Sequence, residues 1–153
     1  MTLLPTDAAE DEAIRQLLAG SRTIAIVGAS RNPARPVHGV MGAMQRAGYR
    51  CIPVNPGHDG QEILGERVYA RLADIPEAID IVDVFRRQEA LAGVVDEALA
   101  LSPLPTAIWF QLGLRDDAAA AKARTAGLVV FQDLCIKVEH ARLAIGKVAH
   151  RPA

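Results

Sequence analysis

Cysteine is nearly absent from this chain: Cys51 and Cys135 are the two among 153 residues. They stand at no metal-like spacing. That excludes a disulfide framework and a cysteine-based zinc site, and it predicts a reduced, cytoplasmic protein. An excess of charge is missing too. With 17 basic and 18 acidic side chains the net charge is −1, so there is no positive field to hold a nucleic acid by its phosphates. No apolar run reaches the roughly 18 residues that a membrane span needs. The first residues carry acids where a secretory leader has a basic region and an apolar run, so no leader is read. Aromatic residues make up 4% of the chain and apolar residues 50%. A core with so few large rings suits helices packed closely on a sheet, and the length suits one domain.

What is present is an alternation of strands and helices. The organising stretch runs from Thr23 to Pro36. Thr23–Val27 is short, apolar and β-branched, which predicts a buried strand. Gly28-Ala29-Ser30 then makes a small-residue turn, Arg31 to Pro36 is turn-rich, and an amphipathic segment runs from near Val37 to Ala47. Strand, small turn and helix form the first half of a nucleotide-binding βαβ unit. Amides at such a turn, together with the helix dipole, are expected to meet the phosphates of a nucleotide-like ligand over Gly28 to Ser30.

Upstream, Asp7 to Leu18 reads as a helix with Asp7 as N-cap, Glu10 three residues on, an apolar stripe of Ile14, Leu17 and Leu18, and Gly20 as its stop. Met1 to Pro5 reads as a loose tail. Downstream, strands are predicted at Tyr49–Val54, Asp80–Phe85, Thr106–Phe110 and Leu128–Phe131, with a short edge strand at Val68–Tyr69. One helical turn is expected at Leu72–Ile75. Helices are expected at Gln88–Leu101 and Asp116–Thr125, and a short one from Val138. The result is an α/β fold: a single Rossmann-like domain with a doubly wound, mostly parallel sheet of five to six strands and helices on both faces. The expected division is a packed N-terminal helix over 1–20, the domain proper over 21–146 and a frayed tail over 147–153.

The ligand crevice of such a sheet lies at the carboxyl ends of its strands. Those ends are Gly28-Ala29-Ser30, Val54-Asn55-Pro56, Val84-Phe85-Arg86-Arg87, Phe110-Gln111-Leu112-Gly113 and Phe131-Gln132-Asp133-Leu134-Cys135. A full G-x-G-x-x-G is missing, since the glycine after Gly28 is Gly39. Asn55-Pro56 stands where an acid would meet the ribose of NAD. Arg31, Arg35, Arg86 and Arg87 are candidates for the rim and suit a ligand with several phosphates.

Six segments carry a family likeness: Val27–Ser30, Arg35-Pro36, Ile52–Pro56, Val82–Arg87, Trp109–Gly113 and Asp133–His140. Over about residues 20 to 145 the chain resembles the small stand-alone CoA-binding proteins, which are similar to the N-terminal CoA-binding domain of the succinyl-CoA synthetase α subunit. The resemblance implies coenzyme A or acyl-CoA as the ligand. It implies Gly28, Ala29 and Ser30 at the diphosphate, and Val54, Asn55, Pro56, Val84 and Phe85 along the adenosine part. Gln111, Leu112 and Gly113 would then run toward the pantetheine, and the four arginines would share the phosphates.

Catalytic residues do not stand out. His38, His58, His140 and His150 belong to no Ser-His-Asp order and no metal spacing. His38 reads as a polar residue at a helix start, His58 as solvated, His140 as packed. Asp83, inside a strand, reads as a hydrogen-bonded core acid. Cys51 reads as core, and Cys135, just past a strand end, is the one candidate thiol for exchange with the CoA thiol. Two functions follow. One is a non-catalytic CoA or acyl-CoA binder. The other is an enzyme or enzyme subunit acting on a CoA thioester or NAD-type cofactor with a partner chain.

Overall fold

The computed structural model describes residues 5–148. Helix α1 (Pro5–Gly20) leads into strand β1 (Thr23–Val27), helix α2 (Pro36–Arg46) and strand β2 (Arg50–Val54). A two-stranded hairpin, β3 (Glu62–Ile63) and β4 (Glu66–Arg67), interrupts the alternation. It resumes with β5 (Ile81–Val84), α3 (Leu91–Leu99), β6 (Ala107–Phe110), α4 (Asp117–Thr125), β7 (Val129–Phe131) and α5 (Ile136–Arg142). Five strands form one parallel sheet in the order β2-β1-β5-β6-β7. With the hairpin set aside this is the doubly wound order whose direction reverses beside β1, and a crevice opens there.

Side-chain alternation assigns the two layers. On β1, Ile24 and Ile26 face the layer of Leu18 from α1, Met41 and Met44 from α2, and Ile136 from α5. Ala25 and Val27 face the layer of Leu91 and Val95 from α3 and Ala120 and Ala123 from α4. Both faces are covered, so the strands read as continuous apolar runs rather than alternating ones. The alanines of α4 let its backbone approach the sheet, which is how a chain with few aromatic rings closes its core. Among the described residues no helix is long and apolar enough to cross a membrane.

Several boundaries move from their sequence positions. α1 begins at Pro5 rather than Asp7, because a proline in the first turn lacks an N–H that would be unpaired anyway. The segment expected as a strand at Val68–Tyr69 contributes a single parallel bridge, Val54 to Tyr69, and the regular pairing lies upstream. Leu64 and Gly65 both take positive φ, 50° and 82°, the turn geometry that lets β3 and β4 fold back on each other. The long helix expected from Gln88 begins as a 3-10 turn, Gln88–Ala90, before α3. α5 starts at Ile136, not Val138, because its first amide is met by a distant side chain: Gln111 Oε1 accepts from Ile136 N at 3.0 Å. Val148 falls in the expected tail, yet its amide donates to Ala47 O at 2.8 Å. The end of the tail, 149–153, and the start of the N-terminal one, 1–4, lie outside the described residues.

Asp83 corrects the sequence reading more sharply. It is fully buried, and neither carboxylate oxygen has a hydrogen-bond partner. Its cross-strand neighbours are Ile26 and Trp109. Ile26 has no side-chain donor, and the Trp109 indole N–H donates instead to Leu134 O at 2.8 Å. Burial therefore holds the Asp83 carboxyl well above the usual carboxylate range, and the folded protein keeps it neutral. The unfolded chain ionises near pH 3.9. Above that pH the folded state binds the extra proton, so the Asp83 contribution to stability falls as pH rises toward its raised folded pKa. Asp83→Asn removes this dependence. In urea denaturation the stability difference between variant and parent is expected to grow from pH 4 to pH 8 in the variant's favour. The same difference at both pH values would mean that the folded carboxyl is already charged.

Candidate functional site

The crevice is built on a contact that only glycine permits. Gly28 leaves β1 with φ at +89°, and a Cβ placed there would stand 2.3 Å from the Phe85 carbonyl oxygen and 3.2 Å from Arg86 Cδ. The turn after β1 is thus pressed onto the end of β5. From the other side, Val54 O accepts from Gly28 N at 2.9 Å and from Ala29 N at 3.3 Å. These bonds revise the anion reading, because two of the three amides assigned to phosphate are already taken by β2. The amides of Ser30 and Arg31 have no partner among the described residues, so the free donors lie one to two residues further on.

Asn55 holds the two turns together. Its Nδ2 donates to Ala29 O at 2.8 Å, and its Oδ1 accepts from Gly57 N at 2.9 Å. Beyond the first turn, Ser30 Oγ accepts from Asn32 N at 3.0 Å, and Asn32 Oδ1 accepts from Ala34 N at 3.0 Å. This tight loop delivers the chain to α2, which starts at Pro36 with Arg35 as N-cap. No side chain caps that end, and its first turn holds no acid. An uncapped helix start with free amides favours an anion.

Two cavities meet at Gly28 and Arg86. The larger, about 410 Å³, lies between the start of α2 and the loop after β6. Pro36, Val37 and Val40 form one wall, with Arg35 at the rim; Gln111, Leu112, Leu114 and Cys135 form the other, and Phe85 lies at the base. The smaller, about 340 Å³, is walled by Asn55, Pro56 and Gly57. Arg35 and Arg86 are the ionised groups among these residues, and no carboxylate lines either cavity.

Residues 22–141 match the family described as "CoA binding domain". The chain belongs to the CoA-binding domain family. It is 45% identical over 128 residues to an uncharacterized protein, YneT, of Bacillus subtilis (strain 168), across 84% of this chain and 92% of that one. A solved structure from Thermus thermophilus, titled cell-free ID.343, is 41% identical with a TM-score of 0.82, covering 87% of this chain and 98% of its own. A hypothetical protein from Pyrococcus horikoshii OT3 is 35% identical with a TM-score of 0.85, covering 94% and 99%.

The CoA-binding domain does not use every strand-end residue in the same way. Gly28, Arg35, Phe85, Arg86, Gln111, Leu112 and Cys135 come together in the larger cavity, and Asn55 and Pro56 in the smaller. Val54 and Val84 are 3% and 0% exposed. Their side chains belong to the core, and they shape the crevice through the carbonyls that hold Gly28, Ala29 and Gln111 N. Ala29 is buried as well. Arg31 donates to Gln61 Oε1 at 3.0 Å. Ser30, Arg31, Arg87 and Gly113 line neither cavity, and Gly113 N donates to Asp133 Oδ1 at 2.7 Å. Sequence reasoning missed Pro36, Val37, Val40, Gly57 and Leu114. Val37 and Val40 stand one turn apart among the buried residues of α2, so the helical period of that amphipathic segment carries the signal for both.

The remaining candidates fall outside the cavities. Cys51 is fully buried, and burial pushes its thiol well up, away from reactivity. His38 and His58 are half-buried and line neither cavity; the sequence reading had His58 solvated. His140 stands edge-on to Tyr49, ring centroids 5.8 Å apart, with Nε2 buried and unpartnered. His150 lies outside the described residues. Among the described residues no group of three or more His, Cys, Asp or Glu side chains is placed to hold a metal ion.

Proposed function

We propose that the protein is a non-catalytic, cytoplasmic binder of coenzyme A or acyl-CoA, related in fold and ligand to the N-terminal domain of the succinyl-CoA synthetase α subunit. The observation that carries this reading is the pair of cavities joined at Gly28 and Arg86, with two guanidinium groups and no carboxylate in their walls. A ligand with an anionic middle and two dissimilar ends suits that arrangement. The diphosphate lies over the free amides of Ser30 and Arg31 and the uncapped start of α2, where the helix dipole favours negative charge. The adenosine end lies beside Asn55 and Pro56. The pantetheine arm runs into the larger, mainly apolar cavity between Val37 and Leu112. NAD fits less well, because no acid stands at the end of β2 to receive a ribose hydroxyl pair.

Calorimetric titration with CoA, acetyl-CoA, NAD and NADP tests the reading. CoA is expected to bind in preference to NAD. Tight NAD binding without a response to CoA would overturn the assignment.

A further inference from the structure

We propose that Cys135 captures coenzyme A covalently, by thiol–disulfide exchange with CoA disulfide, and that Gln111 positions the arm for this step. The inference rests on the CoA reading of the larger cavity and adds a chemical step to it. Cys135 lines that cavity and is partly exposed, whereas Cys51 is sealed in the core.

Gln111 supplies an independent observation. It lines the same cavity and is 5% exposed. Its Oε1 accepts from Ile136 N at 3.0 Å. An oxygen must face that N–H, so the orientation of the amide is fixed and its Nε2 donors turn elsewhere. No described residue accepts from them. Nε2 is not among the buried atoms left without a partner, so it opens to the cavity that Gln111 lines, where a bound carbonyl can accept from it. The pantetheine arm carries amide carbonyls that can accept from this donor. Ile136 is bonded directly to Cys135, so the group held by Gln111 and the thiol share one wall. An arm that accepts from Gln111 Nε2 brings its sulfur end toward Cys135.

The step balances without a further reagent. The Cys135 thiolate attacks one sulfur of CoA disulfide, the new Sγ–S bond forms as the old S–S bond breaks, and the second CoA departs as a thiolate. The proton released by the Cys135 thiol is taken up by solvent or by the departing thiolate. CoA disulfide is the oxidant consumed, and a dithiol reductant reverses the adduct.

The test incubates the reduced protein with CoA disulfide or with glutathione disulfide at equal concentration and follows intact mass. The expected result is one CoA adduct per chain, mapped to Cys135 and released by dithiothreitol. It should form at least tenfold faster than the glutathione adduct, because binding delivers the disulfide. Cys135→Ser should lose the adduct and Cys51→Ser should keep it. Equal rates with the two disulfides, or an adduct that survives in Cys135→Ser, overturns the proposal. Calorimetry with CoA under reducing conditions separates the two readings. Binding without adduct formation overturns the covalent step and leaves the CoA assignment standing. No binding, with equal modification by both disulfides, removes both.

Discussion

Gly28→Ala is expected to lower the melting temperature by on the order of 10 °C. A non-glycine residue held at positive φ costs about 1–3 kcal/mol, and Gly28 sits at +89°. Strain is one part of the cost. The added Cβ would stand 2.3 Å from the Phe85 carbonyl oxygen, and a backbone atom cannot turn aside as a side chain can. Relief requires the ends of β1 and β5 to part. That threatens the bonds from Gly28 N to Val54 O at 2.9 Å and from Phe85 N to Val27 O at 2.8 Å, each worth about 1 kcal/mol. A loss of about 3–5 kcal/mol results, and each kcal/mol moves the midpoint by about 2–4 °C in a chain of this size. Differential scanning calorimetry reads the outcome. Gly93→Ala is the control. Gly93 lies in α3, and a Cβ there meets nothing within 4 Å, so the helix should gain about 0.5–1 kcal/mol. If both variants melt within a few degrees of the parent, the turn after β1 is not pressed onto β5.

The architecture was legible because its strands are buried on both faces. Thr23–Val27 is short, largely apolar and rich in β-branched residues, and β1 has those same bounds. An aspartate, Asp116 or Asp117, was readable as the helix start from its type, and the structure gives the cap to Asp116, whose Oδ1 accepts from Ala119 N at 2.9 Å. What failed to show depends on partners far along the chain. The start of α5 is set by Gln111, 25 residues earlier. The hairpin of β3 and β4 depends on Leu64, a residue type that gives no warning of positive φ. Asp83 misled because a buried acid is normally paired, and nothing local reveals that the Trp109 N–H is directed to Leu134.

The site divides in the same way. The sequence located the strand ends, and the chain's crossovers bring most of them to two adjoining cavities. It did not reveal which groups at each end face the crevice. Pleating turns consecutive residues to opposite faces, so Val84 enters the core while Phe85 reaches the cavity base. Hydrogen bonding decides the rest, because a turn amide binds an anion only when no carbonyl claims it first. Val54 O claims those of Gly28 and Ala29, a pairing fixed by sheet register rather than by the glycine itself.

Arg86 is where these considerations converge on a binding measurement. It lines both cavities, while Arg87, its neighbour in sequence, lines neither. Arg86→Ala is expected to weaken CoA about ten- to a hundredfold, since a hydrogen bond to a charged group contributes roughly 1.5–3 kcal/mol. The salt dependence of binding should flatten, because one ionic contact fewer remains to be screened. Pantetheine, which carries no phosphate, should be affected much less. Arg87→Ala should bind CoA within about twofold of the parent, as an exposed charge at the edge of a site is largely screened. The double variant should then match Arg86→Ala alone. Equal losses from the two single changes would mean that the arginines act through a diffuse positive field. Unchanged CoA affinity in Arg86→Ala at every salt concentration would move the phosphate contacts to Arg31 and Arg35 and leave the junction of the two cavities without an ionic role.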